Sequence, residues 1–110
     1  MTTKDPREPF TRINVQEAKE MLANGAEIID VREPHEYTAG HVPNAAHIPV
    51  NTVYARRAEL PKDKEVIFVC AVGQRSALAS EMAAAAGLTR IFNLDGGTEA
   101  WANAGEPLEK

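Results

Sequence analysis

The sequence predicts an α/β fold: a central, mostly parallel sheet of about five strands with helices on both faces. Three observations point to it. Short apolar runs alternate with helical patterns of about ten residues, the arrangement a parallel sheet needs for its crossovers. The runs Ile28-Ile29 and Val66-Ile67-Phe68-Val69 are continuous and rich in β-branched residues, as in strands covered on both sides. The chain has 110 residues, 44% apolar and 25% charged, which suits one domain that buries a core without staples.

Taken in order, residues 1–9 carry two prolines and four charges and read as a flexible N-terminal arm. The single domain then runs over 10–110. Residues 11–13 form a brief edge strand. Asn14 caps a helix over 15–24 with Val15, Ala18, Met21 and Leu22 on one face, stopped at Gly25. Residues 27–31 are a buried strand. Pro34 opens a short helical turn through Tyr37, closed by Gly40. Residues 46–49 make a short strand, and Asn51 caps a helix that runs to about Leu60. The strongest strand signal covers 65–69. A helix over about 75–86 follows, ended by Gly87, then a strand over Ile91–Leu94 and a helix over 98–104.

Composition excludes several functions. A lone cysteine, Cys70, forms neither an internal disulfide nor a zinc site of several cysteines, and His35, His41 and His47 lack metal-ligand spacing. The net charge of -4 argues against nucleic acid as a partner. No run is long enough to span a membrane, and the polar start lacks the apolar core of a signal peptide, so a cytoplasmic location is expected. No metal and no cofactor are implied.

In parallel sheets the ligand site lies beyond the carboxyl ends of the strands. Directly after Val69 stands Cys70, followed by Ala71-Val72-Gly73-Gln74-Arg75-Ser76 and a helix. A thiol is nucleophilic only when ionised, and a free one, with a pKa of about 8.5, is mostly protonated at neutral pH. A helix N-terminus and inward-pointing loop amides favour the thiolate. Gly73 lets the loop adopt the angles this requires. Arg75 adds a permanent positive fork suited to an oxyanion at the helix start. The alternative for Cys70 is a small core hydrophobe.

With these residues in view, the chain resembles the single-domain rhodaneses, the thiosulfate and persulfide sulfurtransferases. Three blocks carry the resemblance: Asp30-Val-Arg-Glu-Pro-His-Glu-Tyr37 with Gly40-His-Val-Pro-Asn-Ala-Ala-His-Ile-Pro49, then Cys70-Ala-Val-Gly-Gln-Arg75-Ser76, then Leu94-Asp-Gly-Gly-Thr-Glu-Ala-Trp101. They cover about residues 11 to 107. Asn44 departs from the family, which usually has glycine there, but asparagine tolerates positive φ.

The resemblance implies a rhodanese-like three-layer sandwich and a Cys70 persulfide. The sulfur would come from a small anionic donor, thiosulfate or a persulfide, and leave to a thiol or to cyanide by a ping-pong mechanism. Ala71, Val72, Gly73, Gln74 and Ser76 would cradle the terminal sulfur, and Arg75 would hold the donor's anionic end. A sulfur-relay protein is a conceivable partner, and nothing demands more than a monomer or weak dimer.

Two other functions compete. One is a non-catalytic interaction or regulatory module, against which retention of Cys70 counts. The other is a phosphatase or arsenate reductase of related fold, whose loop has five residues between cysteine and arginine. Only four separate Cys70 from Arg75. Asp30 and Arg32 are expected to support the site as a charge network at a strand end. His41 and His47 are expected to be structural, Trp101 a core anchor, Asp95-Gly96-Gly97 a tight turn, and Arg56 and Arg57 solvated.

Overall fold

The computed structural model describes residues 4–110. The part of the N-terminal arm at residues 1–3 lies outside that range. Five strands, β1 (Thr11–Ile13), β2 (Glu27–Asp30), β3 (Ala46–His47), β4 (Val66–Val69) and β5 (Ile91–Leu94), form one sheet in the order β1-β5-β4-β2-β3. Every pairing is parallel. The helices are α1 (Val15–Ala23), α2 (Pro34–Ala39), α3 (Gln74–Ala85) and α4 (Gly97–Asn103).

The alternation of side chains along β4 makes two cores. Val66, Phe68 and Cys70 face one side, with Ala79 and Ala83 of α3. Ile67 and Val69 face the other, with Ala18 of α1 and Trp101 of α4. All four β4 residues are buried, as the uninterrupted apolar run predicts. Truncating a ring such as Phe68 to alanine would cost about 3–5 kcal/mol.

Local signals act where they were expected. The Asn14 side chain accepts the Glu17 N–H at 2.8 Å while Glu17 accepts the Asn14 N–H at 2.9 Å, a reciprocal cap. Asn44 has φ 69°, the left-handed conformation anticipated for it. Arg12 of β1 holds Glu8 at 2.6 Å, and Phe10 is buried.

One element differs. The helix expected from Asn51 to about Leu60 is instead two separate 3-10 turns, Val50–Thr52 and Arg57–Glu59. The first is preceded by Pro49, and Asn51 caps nothing. The Thr52 hydroxyl donates to the Pro49 carbonyl at 2.8 Å, offering the backbone an alternative to a continuing helix. Val50, Thr52 and Val53 are β-branched and lose side-chain freedom in a helix. Burial of Val53 and Leu60 against the sheet decides the path instead.

The strand order fixes where a site can form. From β2 the chain moves outward to β3; from β4 it moves the opposite way to β5. The carboxyl ends of β2 and β4 therefore flank the switch point, where an open α/β sheet leaves a crevice. Asp30 to Arg32 leave one strand there, and Cys70 leaves the other.

Candidate active site

Strand β4 delivers Cys70 to its carboxyl end, 1% exposed. Gly73, at φ 107°, turns the loop back so that its own N–H donates to Cys70 Sγ at 3.0 Å. The Ser76 hydroxyl lies 3.4 Å from the same sulfur. Burial is the largest influence on the thiol and opposes ionisation. The Ser76 hydroxyl and the backbone N–H groups of Ser76, Gly73 and Val72 together outweigh it, leaving the pKa below that of an ordinary thiol. The amino end of α3 points at the same place and adds to the preference for negative charge.

Behind the sulfur stands Asn93 of β5, fully buried. Its Nδ2 donates to the Gly73 carbonyl at 3.3 Å and to Asp95 Oδ1 at 3.1 Å. With two acceptors on the nitrogen side, Oδ1 must face Ser76, whose hydroxyl donates to it in a short bond. That hydroxyl has one proton and two acceptors, Asn93 Oδ1 and Cys70 Sγ. An ionised sulfur competes for it better than a neutral thiol.

The Asp95-Gly96-Gly97 turn fastens the loop from the other side. Thr98 N–H donates to the Cys70 carbonyl at 2.7 Å, and Glu99 N–H to that of Ala71 at 3.1 Å. Gly97 is at φ 61°, and a Cβ there would lie 2.4 Å from the Cys70 carbonyl oxygen. Only glycine fits so close an approach.

The remaining expected residues divide sharply. Asp30 and Arg32 form a buried ion pair, with Arg32 Nη2 to Asp30 Oδ2 at 2.8 Å and to the Gly40 carbonyl at 2.7 Å. The pair closes the loop after β2. His41 and His47 stack on Tyr37, with centroids 3.8 and 4.4 Å apart. The His47 ring pairs with the Arg32 carbonyl at 2.8 Å. Trp101 is buried, its Nε1 donating to Pro107. Val72 and Gln74 are exposed, and of the two it is the Val72 backbone N–H that bears on the sulfur. Arg57 packs over the Tyr54 ring, and Arg56 pairs with Glu59 at the surface.

Arg75 is engaged. Its Nη1 and Nη2 hold the Glu36 carboxylate at 2.7 and 3.0 Å. The Arg75 guanidinium draws the Glu36 pKa from 4.5 down to about 2, against the opposing effect of burial. Sequence reasoning missed Glu36, Asn93 and Thr98. Asn93 had a signal, being polar within the apolar run Ile91–Leu94. Glu36 lies 39 residues from Arg75 and gave none.

Beside the loop runs an open groove of about 430 Å³ with Ala39, Ala71, Ala102 and Leu108 along it and Glu36 and Glu99 among its walls. Thr98 also lines it, and the Thr98 Oγ1 is buried without a hydrogen-bond partner.

The rhodanese-like domain family model matches residues 14–104. A sulfurtransferase of Allochromatium vinosum is 37% identical over 81 residues, covering 74% of this chain and 76% of that one. The thiosulfate sulfurtransferase GlpE of Ectopseudomonas mendocina is 32% identical over 92 residues, covering 84% of each. Among solved structures, a rhodanese-related protein of Thermoplasma volcanium is similar with a TM-score of 0.82 and 33% identity, over 89% of this chain and 96% of that one. The family model's match runs through both strand ends at the switch point and the whole cysteine loop, and with these relatives it shows that the chain belongs to the rhodanese-like domain family.

Proposed function

We propose that the protein transfers sulfane sulfur through a persulfide on Cys70. The observation that carries this reading is a buried sulfur on which backbone and hydroxyl donors converge, with no acid–base partner bonded to it among the described residues. In the first half-reaction the Cys70 thiolate attacks the outer sulfur of thiosulfate or a persulfide. A new S–S bond forms, the donor's S–S bond breaks, and sulfite or a thiolate leaves with the electron pair. In the second half-reaction a thiolate or cyanide forms a bond to the outer sulfur, the persulfide S–S bond breaks, and Cys70 Sγ keeps the electron pair as thiolate. No proton has to be abstracted from the donor, so an already ionised nucleophile suffices. The terminal sulfur carries the negative charge of the intermediate, and loop amides aimed at it stabilise that charge.

Sulfurtransferase relatives support a sulfur-transferring enzyme of the rhodanese type. The four-residue spacing from Cys70 to Arg75 also favours sulfur over the larger tetrahedral phosphate. A cytoplasmic thiol or a sulfur-relay protein would take the sulfur, because no second cysteine exists in the chain to accept it. Among the described residues, no helix is long and apolar enough to cross a membrane.

The test is intact mass after incubation with thiosulfate or an organic persulfide. A gain of one sulfur atom that disappears in Cys70→Ser is expected. No gain with either donor overturns the reading.

A further inference from the structure

Arg75 carries the positive charge that a dianionic donor would seek beside Cys70, yet its fork is filled. Both terminal nitrogens lie on the two oxygens of Glu36. Glu36 is itself held in place. It is the third residue of α2, and its Oε1 accepts the Glu33 N–H at 2.9 Å in the cap of that helix. A carboxylate fixed by its own helix and joined to arginine in bidentate fashion is a preorganised partner. An anion that takes the same two nitrogens must displace it, and the displaced carboxylate stays at the mouth of the site as a like charge. Glu36 also lines the apolar groove that runs past Ala71 to Ala102 and Leu108. Ala71, the residue after Cys70, lines that groove, which offers carbon surface with Glu99 as a second acidic wall; Arg32, whose charge Asp30 cancels, and His35 also line it.

We propose that Glu36 is a specificity-determining residue. By occupying the Arg75 fork it competes, within the molecule, with small dianionic donors such as thiosulfate. Donors whose sulfane sulfur rides on an organic body avoid that competition by laying the body along the groove. The proposal rests on the sulfur-transfer reading and refines its donor class.

Thiosulfate and benzenethiosulfonate make a matched pair for the test. In both, the Cys70 thiolate attacks the outer sulfur and the donor's S–S bond breaks. Sulfite leaves from the first and benzenesulfinate from the second, each taking the electron pair. The second donor has one charge fewer and carries a ring.

Glu36→Gln keeps the oxygen that accepts the Glu33 N–H but removes the charge on Arg75. It is expected to lower KM for thiosulfate roughly three- to ten-fold while changing that for benzenethiosulfonate less than about two-fold. In an Arg75→Ala background, the same substitution is expected to leave the ratio of the two KM values unchanged. Glu36→Asp, too short for the bidentate contact, is expected to move KM in the same direction as Glu36→Gln. It serves as the test should Glu36→Gln lose its helical circular dichroism.

An unchanged or raised KM for thiosulfate, an equal fall for both donors, or a shift that persists without Arg75 overturns the role of Glu36. Absence of sulfur loading from either donor on the unsubstituted protein overturns the sulfur-transfer reading, and the proposal with it.

Discussion

Two loops leave the sheet side by side at the switch point, and they treat buried charge in opposite ways. After β2, Asp30 and Arg32 satisfy one another, and the spare donor of Arg32 goes to the Gly40 carbonyl. Both side chains are within a tenth of full burial, and their charges cancel. After β4, donors from Gly73 and Ser76 gather on Cys70, and the nearby Arg75 charge acts on the sulfur through space, with no hydrogen bond to it. The first arrangement is electrostatically complete, so it holds a loop in place. The second favours a negative charge that the thiol supplies only on ionising, which suits the nucleophile of the proposed function. The two neighbouring strand ends thus differ in whether the opposite charge is bonded directly, as in Asp30–Arg32, or stands off and is bonded elsewhere, as Arg75 is to Glu36.

The comparison breaks most visibly at the sulfur itself. Cys70→Ser is expected to reduce sulfur-transfer turnover by roughly three orders of magnitude or more, measured as thiocyanate formed from thiosulfate and cyanide, with little change in the unfolding midpoint. On the other loop the effect should fall on stability. Asp30→Ala strands a buried guanidinium and is expected to cost about 3–5 kcal/mol in denaturant unfolding. A loss below 1 kcal/mol would mean that the pair does not hold the loop.

Gly97→Ala drives a methyl into the Cys70 and Ala71 carbonyls and is expected to cost about 2–4 kcal/mol. It should also slow sulfur loading, since the closing turn and the cradle share that contact. Ser76→Ala removes one donor of several. The pH midpoint of Cys70 alkylation should rise, and the rate at neutral pH should fall roughly three- to ten-fold. A midpoint that stays put would show that the backbone amides alone set the thiol.

The smallest effect is at the Glu36–Arg75 pair. The folded pKa of Glu36 is depressed, from 4.5 to about 2. Its contribution to stability is therefore present above about pH 4.5 and is lost as pH falls toward 2. Glu36→Gln should flatten the acid limb of the stability curve over that window, by an amount near that of a partly exposed pair, about 1 kcal/mol or less.

Much of the site was legible because its signals are local. Cys70 follows an apolar β-branched run, and Gly73 precedes a helix of known pattern, so strand, turn and helix could be placed from a few neighbouring residues. The same holds for the Asn14 cap and the positive φ of Asn44. The region from Asn51 to Leu60 departs from the expected helix because helical spacing alone does not register a hydroxyl that donates to a carbonyl or a run of β-branched side chains. Nothing local to Arg75 signals that Glu36 holds its terminal nitrogens, because Glu36 lies on another element. Ser76 and Asn93 meet 17 residues apart for the same reason.

By itself, the sequence determined the element types and the chemistry carried on the β4–α3 loop, since hydrophobic period, caps and turn residues act within a few positions of the chain. The tertiary structure decided what surrounds the sulfur. With β4 between β5 and β2, Asn93 stands in register with Phe68 on one flank, and Asp30 with Val69 on the other. Strand order is set by which faces bury the most apolar surface together, a property of the whole sheet, and it brings Asn93 to the cradle and Glu36 to Arg75.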